Sequence, residues 1–329
     1  MKKDIAKAAK TIFKPFQKDL DTFNEYFKNS MMSNLRIVDE VAKYLVRHKG
    51  KQLRPMLVIT AARTIQEPNS GSYLAAVVVE LLHTATLVHD DVVDEAELRR
   101  GFPTINKIWK NKISILMGDY LLAKSLIIAT EIGNLELMNI IANVAKSMSK
   151  GELLQIQKSR KLNITEQDYF QLITDKTASL ISACCEIGAM TTQANPVQRE
   201  ALKNFGLNLG IAFQIKDDLL DYQSHVGILG KPVGNDLKDK KITLPLLYAF
   251  GDSDGSEKKK ILRMLKNGVK RKEIDQIVDF IIQRDGIKKA EDKAVFFKDL
   301  ALQELEKLRV SPAREILGDL AEFVVHRST

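Results

Sequence analysis

HTATLVHDDVVDEAELRRG, residues 83–101, is the stretch on which the reading of this chain turns. Asp90 and Asp94 lie four apart, so on a helix they project from one face a turn apart. His83 lies two turns earlier on a similar face. Like charges at that spacing repel and weaken an isolated helix, so a cation is expected between them. Carboxylate oxygens are hard donors suited to Mg²⁺, which often completes its shell with water and phosphate oxygens.

FQIKDDLLDY, residues 213–222, repeats the pattern. Gln214, Asp217, Asp218 and Asp221 are expected on one helical face. A single acidic pair is commonplace on solvated surfaces and at helix ends. Two pairs on separate apolar helices, facing across a cavity, point instead to a multi-metal site for a diphosphate. Cations accompany both: Lys51 and Arg54 around GKQLRP, Arg99 and Arg100 after the first pair, Lys176, beside the neutral Thr177, in ITDKTASL, Lys231 and Lys241 around a glycine-rich stretch. Lys and Arg beside carboxylates are what two phosphorylated ligands require.

Outward from these stretches, the chain of 329 residues is 45% hydrophobic and 6% aromatic, with a net charge of +8. That composition supports a sizeable core and favours helix over sheet. Helices are expected near 17–30, 34–48, 52–66, 72–95, 112–131, 135–160, 165–194 and 197–224. The stretch 225–241 is expected to be irregular and DSDGSEKKK (252–260) a polar connection, with three or four helices in 260–326. Ile5, Ala9, Ile12, Phe13 and Phe16 mark an accessory N-terminal helix within 1–16. Adjacent Cys184 and Cys185 suit helix filler rather than a disulfide. No apolar run of about 18 residues is expected to span a membrane, and the cytoplasm is the expected location. The fold class is all-α, one large helical bundle around a central cavity, in a single domain over 1–329.

The motifs GKQLRP, ELLHTATLVHDDVVDEAELRRG, MGDYLLAKS, GELLQIQ, DKTASL, FQIKDDLLDY, GKPVGNDL and KKITLPLLYA fall in order between residues 45 and 250. This ordered set resembles the trans-isoprenyl diphosphate synthases, the polyprenyl synthetase family with the isoprenoid synthase type I fold. The resemblance implies a prenyltransferase that condenses isopentenyl diphosphate head to tail with an allylic prenyl diphosphate. It implies that Asp90, Asp94, Asp217 and Asp221 hold Mg²⁺, about three ions per active site. Arg99 and Lys231 would touch the allylic diphosphate. Lys51, Arg54, His83 and Arg100 would hold isopentenyl diphosphate. Lys176, Thr177 and Gln214 would lie near the reacting carbons, and Lys241 near the departing diphosphate. A homodimer is implied as well. Two positions depart from the family pattern: Gln52, where arginine is usual, and Lys240, where glycine is usual.

Ala85 is small and DDVVD carries no insertion, so the resemblance and the space below Asp90 imply a long-chain all-trans product, as for a quinone tail. Bulk from Met117 or Met138 is the competing floor, and a short-chain farnesyl or geranylgeranyl synthase is the alternative. The lysine-rich N-terminus and KKKILRMLKNGVKRK support a second class, a basic scaffold on nucleic acid or membrane. Acids interleaved with the bases disfavour nucleic acid, which leaves at most peripheral membrane contact.

Overall fold

The computed structural model describes residues 11–48, 50–99, 101–227 and 234–327, the side chains of 223–227 excepted. Its helices are α1 (Gln17–Met31), α2 (Arg36–Arg47), α3 (Leu53–Ile65), α4 (Ser70–Val93), α5 (Ile105–Glu131), α6 (Leu135–Lys161), α7 (Glu166–Ile173), α8 (Ser179–Thr191), α9 (Pro196–Gly227), α10 (Asn235–Lys238), α11 (Leu244–Gly251), α12 (Gly255–Asn267), α13 (Arg271–Ile282), α14 (Gly286–Glu306) and α15 (Pro312–His326). The all-α expectation holds, with one minimal exception: Leu98–Arg99 pairs antiparallel with Phe102–Pro103. The chain divides into two compact units. The first comprises Met1–Ala145, Ala183–Lys203 and Leu305–Leu320; the second comprises Lys146–Ser182, Asn204–Glu304 and Ala321–Thr329.

In the first unit, α4 is the central element. Asn69 and Ser72 close a capping box at its start, each side chain accepting the other's backbone N–H. From Ala75 to Leu82 nearly every side chain is fully buried. The β-branched run Val77–Val79 is a poor helix former, so packing on all sides rather than propensity holds this segment helical. Both α4 and α5 are long and apolar enough to cross a membrane by length and composition, which corrects the expectation that no such run exists. In α4, 61% of the most apolar window is buried, against 39% in α5. Asp19 is buried in α1 and accepts from Arg63 Nε at 2.6 Å and from Tyr73 Oη at 2.7 Å, tying α1 to α3 and α4. Arg63 also lies over the Phe16 ring, and Phe13 is buried, so this end of the expected N-terminal stripe packs on the body. Ile5 and Ala9 lie outside the described residues.

Several expected boundaries are corrected. Lys110, at φ +69, breaks the regular path of α5, which starts seven residues before the helix expected from 112. The helix expected over 165–194 is interrupted by a π-turn, Thr174–Ala178. α9 continues through Gly227 into the stretch expected to be irregular. Asp254, expected in a connection, caps α12 by accepting the Ser256 and Glu257 N–H groups at 2.8 Å each.

The second unit packs α9 against the π-turn. A β-carbon at Gly210 would stand 2.6 Å from Cα of Ala178, so only glycine permits the approach. Tyr222, Leu237, Leu246, Leu265 and Ile277 belong to one fully buried cluster that fixes α9, α10, α11, α12 and α13 together.

Gly210→Ala should therefore lose about 1–3 kcal/mol of stability through overpacking. Gly251→Ala, whose β-carbon would meet nothing within 4 Å, should change stability by under about 0.5 kcal/mol. Urea unfolding of both variants checks the contrast.

Candidate active site

Asp90 and Asp94 sit on the last turn of α4, with the Asp94 N–H donating to the Asp90 carbonyl at 2.8 Å. Asp90 is half-buried and Asp94 exposed. Carbonyl ends of helices carry partial negative charge, so two carboxylates here are disfavoured until a cation arrives. His89 braces this turn: its Nε2 is 3.2 Å from the Ile115 carbonyl and 3.3 Å from Asp119 Oδ1 on α5. A β-carbon at Gly118 would stand 2.2 Å from that nitrogen, so the glycine of MGDY makes the room.

Arg99 Nε donates to Asp91 Oδ1 at 2.7 Å, and Asp91 is buried. The middle aspartate of the motif thus anchors the arginine, whose other N–H groups are on its terminal nitrogens. His83, Lys51 and Arg54 are half-buried in the same unit. Gln52 stands at φ +54 and its amide donates to Asn24 Oδ1 at 2.8 Å. This bond ties the start of α3 to α1. Arg100 and Lys231 lie outside the described residues.

In the second unit a cavity of about 160 Å³ is lined by four of the expected residues, Lys176, Thr177, Gln214 and Lys241. Asp218 of the second acidic stretch joins them, with two residues not singled out in the sequence, Tyr169 and Asp236. The π-turn delivers Lys176 and Thr177, an irregularity frequent at functional sites. A hydrogen-bonded chain crosses the cavity wall. Thr177 Oγ1 donates to Gln214 Oε1 at 2.9 Å, and Gln214 Nε2 donates to Asp218 Oδ1 at 2.8 Å. The fully buried Tyr169 hydroxyl donates to the other Asp218 oxygen at 2.6 Å. Asp218 thereby fixes which way the Gln214 amide points. Lys176 ion-pairs with Glu152 and its Nζ lies 3.2 Å from Gln155 Oε1. Lys241 Nζ is 2.9 Å from Asp239 Oδ2.

The acids of this unit crowd one another. The expected single face for Gln214, Asp217, Asp218 and Asp221 resolves into two directions: Asp218 is buried against the cavity while Asp217 is 58% exposed. Asp221 is half-buried and accepts the Asp236 N–H at 3.2 Å. Burial, then repulsion from Asp236, pushes the Asp218 carboxyl well above the usual carboxylate range. Burial also raises Asp221. Burial, then Asp221, raises Asp236 to about 6, opposed by Lys241. Arg327, from the C-terminal end, lies 3.7 Å from Asp217 with its guanidinium over the Phe213 ring.

Hard oxygen donors crowded and unwilling to ionise fit a divalent cation. Among the described residues no three His, Cys, Asp or Glu side chains are grouped to hold one alone. A ligand with its own oxygens, such as a diphosphate, suits that incomplete set.

Sequence reading missed Asp236 although it stands in the quoted GKPVGNDL. Tyr169 and Arg327 carried no local signal. Lys240 is explained in part: its φ is +59, the left-handed region where glycine is at ease.

The polyprenyl synthetase family model matches residues 35–281. An all-trans-nonaprenyl-diphosphate synthase (geranyl-diphosphate specific) of Rhodobacter capsulatus is 34% identical, over 96% of this chain and 97% of that one. A decaprenyl diphosphate synthase structure from Rhodobacter capsulatus superposes with a TM-score of 0.93 at 37% identity, covering 98% and 99% of the two chains. A polyprenyl synthase from Caulobacter crescentus CB15, complexed with calcium and isoprenyl diphosphate, gives 0.89 at 34% identity, covering 98% of each.

The raised Asp236 carboxyl sets a pH dependence. Its proton is held more tightly in the folded chain than in the unfolded one, so it favours folding at low pH and that benefit is lost as pH rises from about 4 through about 6. In metal-free buffer, Asp236→Asn should raise Tm at pH 7.5 and leave it nearly unchanged at pH 4. Thermal melts at the two pH values check the sign.

Proposed function

We propose, because the chain belongs to the polyprenyl synthetase family, that it condenses isopentenyl diphosphate with an allylic prenyl diphosphate to a long-chain all-trans polyprenyl diphosphate. The observation that carries this is the second unit's cavity, where Lys176, Thr177, Gln214 and Lys241 meet beside carboxyls whose ionisation calls for a cation.

The residues divide the work by charge. Asp90 and Asp94 from one helix, and Asp217 and Asp221 from another, would hold about three Mg²⁺ ions together with phosphate oxygens. When bound, those ions supply positive charge that stabilises the departing diphosphate. Arg99 and Lys231 bind the allylic diphosphate, and Lys51, Arg54, His83 and Arg100 bind isopentenyl diphosphate. The allylic carbon–oxygen bond breaks and its electron pair leaves on the diphosphate. The isopentenyl double bond then forms the new carbon–carbon bond, and a proton passes to the departed diphosphate as the double bond re-forms one position along. Lys241 balances charge on the leaving group. Lys176, Thr177 and the Gln214 amide, fixed by Asp218 and Tyr169, present dipoles and charge to the cationic carbons. No nucleophilic side chain is required.

The product length rests on Ala85, small and buried one turn below Asp90, with Leu82 and Val79 beneath it. We read residues 1–329 as one functional domain that acts as a homodimer in the cytoplasm. The apolar residues Ile115, Leu116 and Ile127, exposed on α5, support a covering second copy.

Purified protein should convert isopentenyl and farnesyl diphosphates to long polyprenyl diphosphates with Mg²⁺ and to nothing with EDTA. Asp90→Asn should lower kcat on the order of a hundredfold, and Ala85→Tyr should shorten the products. Radiochemical assay with product sizing checks all three. Products that stop at geranylgeranyl length in the wild type would reject the long-chain reading and keep the reaction.

A further inference from the structure

Glu257–Glu273 holds eight Lys or Arg against two acids, and so accounts for six of the chain's eight net positive charges. The fold leaves all eight exposed on the second unit, in two helices and the short turn that joins them. α12 turns Ile261 and Leu265 into the buried cluster and leaves Lys258, Lys259, Lys260, Arg263 and Lys266 exposed. After the turn at Gly268, Lys270, Arg271 and Lys272 are exposed as well. They stand at the first turn of α13, where the helix dipole already carries positive charge and disfavours cations. Both acids of the segment are committed within it or beside it. Glu257 ion-pairs with Arg284, and Glu273 Oε2 accepts the Lys270 N–H at 2.7 Å. None of these cations faces the cavity or takes part in the reaction described above.

This surface begins at the cavity. Lys240 lines it, and its Nζ donates to the Lys266 carbonyl at the end of α12, at 3.0 Å. A lysine in left-handed backbone is strained, yet here it joins the cavity rim to the basic helix.

We propose that α12 and the start of α13 dock the second unit on an anionic lipid surface. The partner is set by charge and by what the face lacks. It has no aromatic side chain on which a base would stack. Its apolar side is committed to the core, so contact is electrostatic and reversible rather than inserted. The purpose, though not the physics, rests on the function proposed above. A long prenyl chain is insoluble in water, and a basic surface at the cavity rim would hold the release point against a bilayer.

The test is sedimentation of the full-length protein with vesicles. At low salt the protein should bind phosphatidylglycerol–phosphatidylcholine vesicles, ignore phosphatidylcholine alone, and be released by added salt. The fourfold variant Lys259→Gln, Arg263→Gln, Lys266→Gln, Lys270→Gln should bind on the order of a hundredfold more weakly. Lys259→Arg, Lys266→Arg, Lys270→Arg should bind like the wild type, which separates charge from folding. Condensation in detergent should be unchanged in both variants. Wild type that ignores the anionic vesicles, a fourfold Gln variant that binds them undiminished, or duplex DNA retained at a salt concentration that frees the vesicles would overturn the proposal. Absent condensation in the wild type would count against the proposed reaction alone, since vesicle binding is read without turnover.

Discussion

Carboxyl groups held close together in a low-dielectric wall are the constraint on which the second unit depends. Asp218, Asp221 and Asp236 are each raised first by burial, and neighbouring acids add to that. A chain optimised for stability alone would place lysines among them. Here Lys176 is engaged by Glu152 and Gln155, and Lys241, paired with Asp239, only partly offsets the crowding at Asp236, whose carboxyl still stands raised to about 6. The deficit of positive charge is built into the fold, and it is a deficit that a divalent cation carrying phosphate oxygens can fill.

The supporting structure makes sense in those terms. Asp218 can stay buried because Tyr169 and Gln214 satisfy both of its oxygens. Tyr169 stays in place because α7 is capped by Thr165 and Asp168, with Lys158 2.6 Å from Asp168. The π-turn after α7 places Thr177 at Gln214, and Gly210 allows α9 to approach it. In the first unit the same logic is simpler. Burial along α4 fixes the helix, His89 and Gly118 fix its last turn against α5, and Asp90 and Asp94 are held where the helix end is already negative.

The acidic pairs and the basic residues around them were legible because period and chemistry coincide: aspartates four apart interrupt apolar helices in a way that packing alone does not call for. The helical class was legible for the same reason. What escaped was set by tertiary context. The π-turn Thr174–Ala178, which overlaps DKTASL, has no residue signature; it is packed closely by Gly210 of α9 and Gly151 of α6. Asp236 read as a loop residue because only folding brings its N–H to Asp221. Arg327 reaches Asp217 from the far end of the chain. The membrane-length apolarity of α4 and α5 was underestimated because polar residues break the runs, while the mean hydropathy over 18 residues still stands at 1.5. Gln52 and Lys240, departures from a family pattern, become intelligible only with their left-handed backbone and their partners Asn24 and Lys266 in view.

The most direct measurement is calorimetric titration of Mg²⁺ in the presence of inorganic pyrophosphate, at pH 6, in two buffers of different ionisation enthalpy. Subtracting the same titration without protein isolates the protons the chain itself releases. If the crowded carboxyls hold protons that a cation must displace, binding will release protons, and Asp236→Asn will release fewer. Tight binding with no proton release from the chain would contradict the account, because the acids would then have been ionised before any cation arrived.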